Sequence, residues 1–333
     1  MRRNVHILCL LLFLLPACTS DEPQEAGEVG TVTLNRTRIG LGQPVEATVV
    51  ETKTPEGSLT QRTMRWLLND KQLVSDNNVF RDGTFYRTFQ PDRLGENHLK
   101  FLVSYVFLKS SGRVTQTLMN SAETTFVVEP CDVRTSFWGD SQELCIYNEV
   151  ETRLAPSTNN PNILQSVYEP LYERPAFLSY YFEQDSLTRV EQREIVAVTS
   201  LADHSQFFNA YIKGKDAIDI QYNDSVSASI EAVYNGASDD VIEAWVRVYD
   251  LYLAGTRTLI SYDDQRMLGT AIYNGTLQLR ANYTTVGNTI MQYRAESSSV
   301  SLYGPAVFLT QDFCQASAED PETLNANHNE SED

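Results

Sequence analysis

GENHLKFLVSYVF, residues 95–107, sets Leu99, Phe101, Val103 and Tyr105 at every second position. Side chains on a strand alternate between its two faces, so this spacing turns one apolar face to a core. Similar short runs surround it. TVTLNRTRI (31–39) and QPVEATVVET (43–52) alternate in the same way, with the turn chemistry of GLGQP (40–44) between them. TMRWLLNDKQL (63–73) places Trp66 in a third strand, GTFYRTFQP (83–91) is a fourth, and SAETTFVVEP (121–130) closes the set. Short strands at this spacing predict an all-β sandwich over residues 30–129, with Trp66 in its core. SDNNVFRDG (75–83) carries oxygen ligands near a glycine. It lacks the calcium-loop spacing and its terminal glutamate, and reads as a loop.

Residues 131–314 read as an α+β domain with an antiparallel sheet, subdividing near 200–238. Asp140 or Ser141 can cap a helix with Glu143 in its first turn. APSTNNPN (155–162) is a loop. AFLSYYFEQDSLTRVEQREIVAV (176–198) reads as a hairpin turning at 183–186. SQFFNAYIKG (205–214) is a short helix ended by Gly214. Ser238-Asp239-Asp240 can cap a helix with Val241, Ala244, Trp245, Val248, Leu251 and Tyr252 on one face and Gly255 at its end. The same stretch also alternates, so a strand rivals it. In GTAIYNGTLQLRANYTT (269–285), Asn274-Gly275 between β-rich runs predicts a type I′ hairpin. NTIMQYRAE and AVFLTQDFC add strands.

The start of the chain carries a different signal. Arg2 and Arg3 precede an apolar run from Val5 to Leu15, too short to span a bilayer, in the layout of a secretory signal peptide. Leu15-Pro16-Ala17-Cys18 resembles the lipobox of bacterial lipoproteins. The resemblance implies a signal peptide over 1–17, cleavage before Cys18, a diacylglycerol on its sulfur and an acyl chain on its amino group. Several chains make a durable anchor, at about 0.8 kcal/mol per buried methylene. Thr19 after the cysteine resembles an outer-membrane address. Ser20-Asp21-Glu22 partly resembles the export signal of surface lipoproteins in Bacteroidetes. Residues 18–29 read as an acidic tether and residues 315–333, with six acids and no aromatic, as a disordered tail.

The formal charge of −18 argues against nucleic acid, whose phosphates need clustered Lys and Arg, and against docking on an anionic membrane surface. It keeps a surface protein soluble and self-repelling. Cys131 falls where the second domain begins and Cys314 where it ends. They are a candidate disulfide clasp, with Cys145 left buried and free. No Cys/His spacing fits zinc, and no metal or cofactor is expected.

The order of residues 30–129 resembles bacterial immunoglobulin-like or PKD-like modules: Gly-Gln-Pro-Val before the second strand, Trp66 in the third, and Gly-Glu-Asn-His-Leu entering a late strand. It lacks the antibody cysteine pair. Such modules are spacers or binding scaffolds, and fold alone does not choose between those roles. Phe137-Trp138-Gly139-Asp140-Ser141, then a helix and a hairpin, loosely resembles β-lactamase-inhibitor modules and the small lipoproteins of barrel-assembly machinery. That resemblance implies a protein-binding sheet face and no catalysis.

The sequence contains no HExxH, GxSxG, P-loop or dinucleotide fingerprint. His98, His204 and His328 are scattered, and Asp263-Asp264 reads as an exposed turn. Tyr180, Tyr181 and Phe182 can line a sugar site or a core. Asp185-Ser186-Leu187 and Asp224-Ser225-Val226 resemble the O-glycosylation triplet of Bacteroidetes, making Ser186 and Ser225 candidate acceptors. The expectation is a lipid-anchored, surface-exposed, non-catalytic binding protein of the outer membrane, whose partner is an extracellular protein or glycan. A periplasm-facing assembly accessory, a glycan-capture accessory and a hydrolase with a scattered site stay open as alternatives.

Overall fold

A computed structural model of the chain describes residues 24–74, 78–109, 115–149, 152–168, 176–196, 204–222, 229–285, 289–298 and 306–316. The leader, Cys18, Ser225, His328 and the tail from 317 lie outside the described residues. The fold is mostly β, with antiparallel sheets and few helices, and it divides into two compact units, Met1–Glu129 and Pro130–Asp333.

The described strands of the first unit form two sheets. One runs β1 (Glu28–Val29), β4 (Val45–Lys53), β8 (Thr84–Phe89) and β7 (Asn78–Arg81), with β2 (Thr33–Leu34) also on β4. The other runs β3 (Ile39–Gly40), β10 (Thr115–Glu129), β9 (Gly95–Leu108), β5 (Leu59–Leu68) and β6 (Lys71–Gln72). Val45, Val49 and Phe85 of the first sheet share one core with Trp66, Leu99, Phe101, Val103 and Tyr105 of the second. Trp66 is 1% exposed, and Phe101 joins it to Phe85 with centroid separations of 4.7 and 4.8 Å.

Two expectations for this unit are corrected. Within the stretch read as a loop, residues 78–83 enter a hairpin, while 75–77 lie outside the described residues: Arg81 pairs with Thr84 around Asp82 (φ 51°) and Gly83 (φ 74°), the two left-handed positions that an Asp-Gly turn supplies. The acidic tether does not reach residue 29. Glu28 and Val29 pair with β4, Glu25 bridges Glu56, and Ala26 and Val29 pack on the core. Gly27 permits this close approach, because a Cβ there would lie 2.7 Å from the Tyr105 hydroxyl.

The second unit is built on an antiparallel sheet of eight described strands. Their order is β11 (Ala155–Pro156), β12 (Ile163–Tyr168), β13 (Ala176–Glu183), β14 (Ser186–Val196), β18 (Ala306–Gln315), β17 (Thr289–Ser298), β16 (Leu277–Thr285) and β15 (Glu231–Tyr234). The described α-helices are α1 (Gln142–Asn148), α2 (Ser205–Tyr222), α3 (Asp239–Leu253) and α4 (Tyr262–Tyr273). Ser141 caps α1 by accepting the Leu144 N–H. Phe207, Phe208 and Tyr211 of α2, Trp245 and Val248 of α3, and Leu268 and Ile272 of α4 share a core with Tyr180, Val190, Leu279, Tyr293 and Phe313 of the sheet. The stretch 200–238, marked above as a subdivision, therefore contributes α2 to one common core.

Three more expectations change. Gly214 does not end α2, which runs on to Tyr222. It is there for space, since a Cβ would fall on the Tyr293 hydroxyl. Asn274-Gly275 is not a hairpin turn. Asn274 caps α4 and Gly275 takes φ 75° just past its end. The helical reading of 239–253 holds over its strand rival, with Val241, Ala244, Trp245, Val248 and Tyr252 buried on one face. No disulfide joins Cys131 to Cys314. Cys314 is a free thiol in mid-sheet, on β18 between Arg189 and Ile290, and Cys145 is a buried free thiol.

Candidate functional site: a charge ladder on the sheet

Alternation along β14, β17 and β18 gives the large sheet two unlike faces. Val190, Tyr293, Leu309 and Phe313 point to the core under the helices. The alternate residues Arg189, Glu191 and Arg193 on β14, Arg294 and Glu296 on β17, and Thr310 and Asp312 on β18 share the other face. Register brings them together: Glu191 lies opposite Asp312, Arg193 opposite Thr310, and Thr310 opposite Arg294.

The side chains form a closed network. Arg189 donates from Nε and Nη2 to both oxygens of Asp312, at 2.6 and 2.7 Å, and from Nη2 to Glu191 at 2.7 Å. Arg294 donates to Asp312 and to Glu296, each at 3.0 Å. The Thr310 hydroxyl, fully buried, donates to Glu296 at 2.9 Å. Arg193 is held more loosely, with Nε 3.4 Å from Glu191 and Nη2 3.6 Å from Glu296. Two guanidiniums also lie over rings, Arg189 on Tyr181 at 4.8 Å and Arg193 on Phe308 at 4.4 Å.

Three arginines and three carboxylates leave the cluster formally neutral within a chain of charge −18. Its middle is dry: the side chains of Glu191 and Arg294 are each 9% exposed, against 35% for Arg189 and 34% for Arg193. Burial pushes the Glu191 carboxyl above the ordinary carboxylate range, against the pull of Arg189 and Arg193. Burial also opposes charge on Arg189 and Arg294, but their carboxylate neighbours outweigh it and keep both guanidiniums charged. Desolvating such ions costs about what their attraction returns, so the network is a poor source of stability. What it provides is a fixed pattern of oriented donors and acceptors around Arg189, Arg294 and their carboxylates, with Arg193 the least constrained member.

The residues singled out from sequence lie elsewhere. Ser186 is exposed at the β13–β14 hairpin, beside Gln184 and Asp185, both at positive φ. Asp185 accepts the Gln142 N–H at 3.1 Å. Asp263 and Asp264 sit in the first turn of α4, and Asp264 pairs with Arg247 at 2.7 Å. His98 approaches Glu123, at 3.5 Å, in the first unit. Tyr180 and Phe182 are core, and Tyr180 donates to the buried Glu149 at 2.6 Å. Burial pushes the Cys145 thiol up to about 12, which keeps it protonated and inert. Among the described residues, no group of three or more His, Cys, Asp or Glu is placed to hold a metal, and no helix is long and apolar enough to cross a membrane.

In the sequence the ladder is recorded only as alternation within single strands. Arg-x-Glu-x-Arg at 189–193 and Arg-x-Glu at 294–296 alternate in charge with the strand period. Which strands are neighbours is not printed there. No protein-family model, curated protein or solved structure matches the chain.

Proposed function

We propose that this chain is a non-catalytic binding protein whose second unit docks a partner protein on the charge-laddered sheet face. A lipid on Cys18 would anchor it to the outer membrane, facing the cell exterior. An immunoglobulin-like sandwich, the first unit, would follow the anchor in chain order as its support. The observation that carries this reading is the neutral, pre-oriented Arg189–Glu191–Arg193–Arg294–Glu296–Asp312 network. Its loosest cation, Arg193, is the member with most freedom to exchange its carboxylate for a partner's.

Photocrosslinking on intact cells tests the docking face. A photoreactive residue replaces Asn282, exposed on the ladder side beside Gln292, or Val246, 53% exposed on α3. A protein adduct is expected at 282 and absent at 246, and Arg193→Glu should abolish it. Equal adducts from both positions, or an adduct indifferent to Arg193→Glu, would sink the reading. Membrane attachment is tested separately by metabolic labelling with a fatty acid: label in the wild-type chain and none in Cys18→Ala is the expected result. Protease shaving decides orientation. A chain that survives until the outer membrane is opened would turn the reading to a periplasm-facing assembly accessory.

A further inference from the structure

On the helix side of the second unit, a cleft of about 830 Å³ opens between the starts of α2 and α3 and the length of α4. That size suits a small-molecule site, for which roughly 300–1,000 Å³ is usual. The docking face plays no part in it.

His204 is fixed in the cleft wall. Its backbone packs against Gly269, where any Cβ would strike the His204 carbonyl. Its ring lies against Tyr273 at 4.7 Å and Phe207 at 5.5 Å. Its Nδ1 is 3.0 Å from the Thr270 hydroxyl, which donates its own proton to the Arg266 carbonyl at 2.8 Å. Thr270 must then accept from Nδ1–H, and Nε2 is left as the acceptor of the neutral ring.

Asp263 and Arg266 stand one turn apart on α4, so they line the same wall. Both are exposed, and among the described residues neither side chain has a hydrogen-bond or ion-pair partner. Their neighbour Asp264, by contrast, is taken by Arg247 and Ser261. The cleft thus offers a carboxylate acceptor, a guanidinium donor, the two-sided amide of Asn274 and a fixed imidazole, with Met267, Val241 and Ala271 as its apolar lining. One positive and one negative group select against a strongly charged ligand. Donors and acceptors in equal measure select for a molecule carrying both at every position, with an apolar flank for Met267, Val241 and Ala271.

We propose that this cleft is a binding site for a neutral saccharide unit. Saturation-transfer NMR on the whole chain tests it, with maltose, cellobiose and N,N′-diacetylchitobiose as neutral probes and glucuronic acid as the charged one. At least one neutral disaccharide should receive transfer. Asp263→Asn and Arg266→Ala should each weaken it about ten-fold, the loss typical of a hydrogen bond to a charged group. Thr270→Val should weaken it by releasing the imidazole. Asn282→Ala, exposed on the sheet's other face, should leave it unchanged, so failure here is separable from failure of the docking reading. The thermal midpoints of the two exposed-site variants should match wild type, which excludes unfolding as the cause. No transfer to any neutral probe, transfer to glucuronic acid alone, or transfer indifferent to all three cleft variants would overturn the proposal.

Discussion

Two buried tyrosines in the second core contrast in the partners of their hydroxyls. Tyr283 donates to Asp219 at 2.9 Å, and Asp219 also holds the fully buried Lys215 ammonium at 2.9 Å. The Tyr211 hydroxyl, in a side chain with no exposed surface, has no hydrogen-bond partner among the described residues. A buried hydroxyl without a partner has lost its water and gained nothing. Tyr211→Phe should therefore be neutral or stabilise by up to about 1 kcal/mol, while Tyr283→Phe should cost about 1–3 kcal/mol through its bond to a charged acceptor. Thermal unfolding of the two variants side by side checks this, and a Tyr211→Phe protein less stable than Tyr283→Phe would refute it. Neither the buried lysine nor its tyrosines were legible as a cluster in sequence. Lys215 sits four residues after Tyr211 and four before Asp219 on α2, which is visible. That the helix turns this stripe onto Tyr283 and Tyr293 depends on strands some 70 residues away.

Glycine carries the lesson at the scale of the element. A left-handed residue after a helix and the second residue of a type I′ turn need the same backbone freedom, so Asn274-Gly275 reads equally well as either. The deciding signal is upstream, where Leu268, Ala271 and Ile272 keep helical spacing and are buried. Asp82-Gly83 is the reverse case, a true hairpin turn hidden in a polar stretch. Gly214 is a third kind, with neither turn nor positive φ, and its reason is the Tyr293 ring. Helix propensity alone would have Gly214→Ala stabilise α2 by about 1 kcal/mol. Overpacking reverses the sign, and a loss of about 1–3 kcal/mol is expected instead. Hydrogen exchange of the α2 amides measures it: faster exchange than wild type is the expected outcome, and slower exchange would show that the ring yields without cost. The strands themselves were legible because half-buried strands print their alternation. β14 beside β18, which assembles the ladder, was not, because nothing local records which distant strand is the neighbour.

For the whole molecule, acid pulls stability in two directions. A chain with 44 carboxylates and 26 basic side chains repels itself at neutral pH, and protonation relieves that. Glu149 works the other way. Burial alone would raise its pKa, but Arg134 at 2.9 Å, Tyr180 at 2.6 Å and Thr135 at 3.0 Å together hold it below the ordinary carboxylate value. A carboxyl with a depressed folded pKa binds its proton more weakly folded than unfolded. Its contribution is complete above the unfolded value and is lost as pH falls through the folded one. The second unit, which contains Glu149, should therefore lose stability below the ordinary glutamate pKa, and Glu149→Gln should flatten that acid limb while lowering stability at neutral pH. Self-repulsion belongs to the whole chain and is screened by salt, whereas a buried cluster is screened far less. Urea unfolding followed across pH at low and high salt separates the two: salt should raise the neutral-pH midpoint in both proteins, and the acid limb specific to wild type should persist in high salt. An acid limb of equal depth in Glu149→Gln would assign the loss to other carboxylates and remove Glu149 from the account.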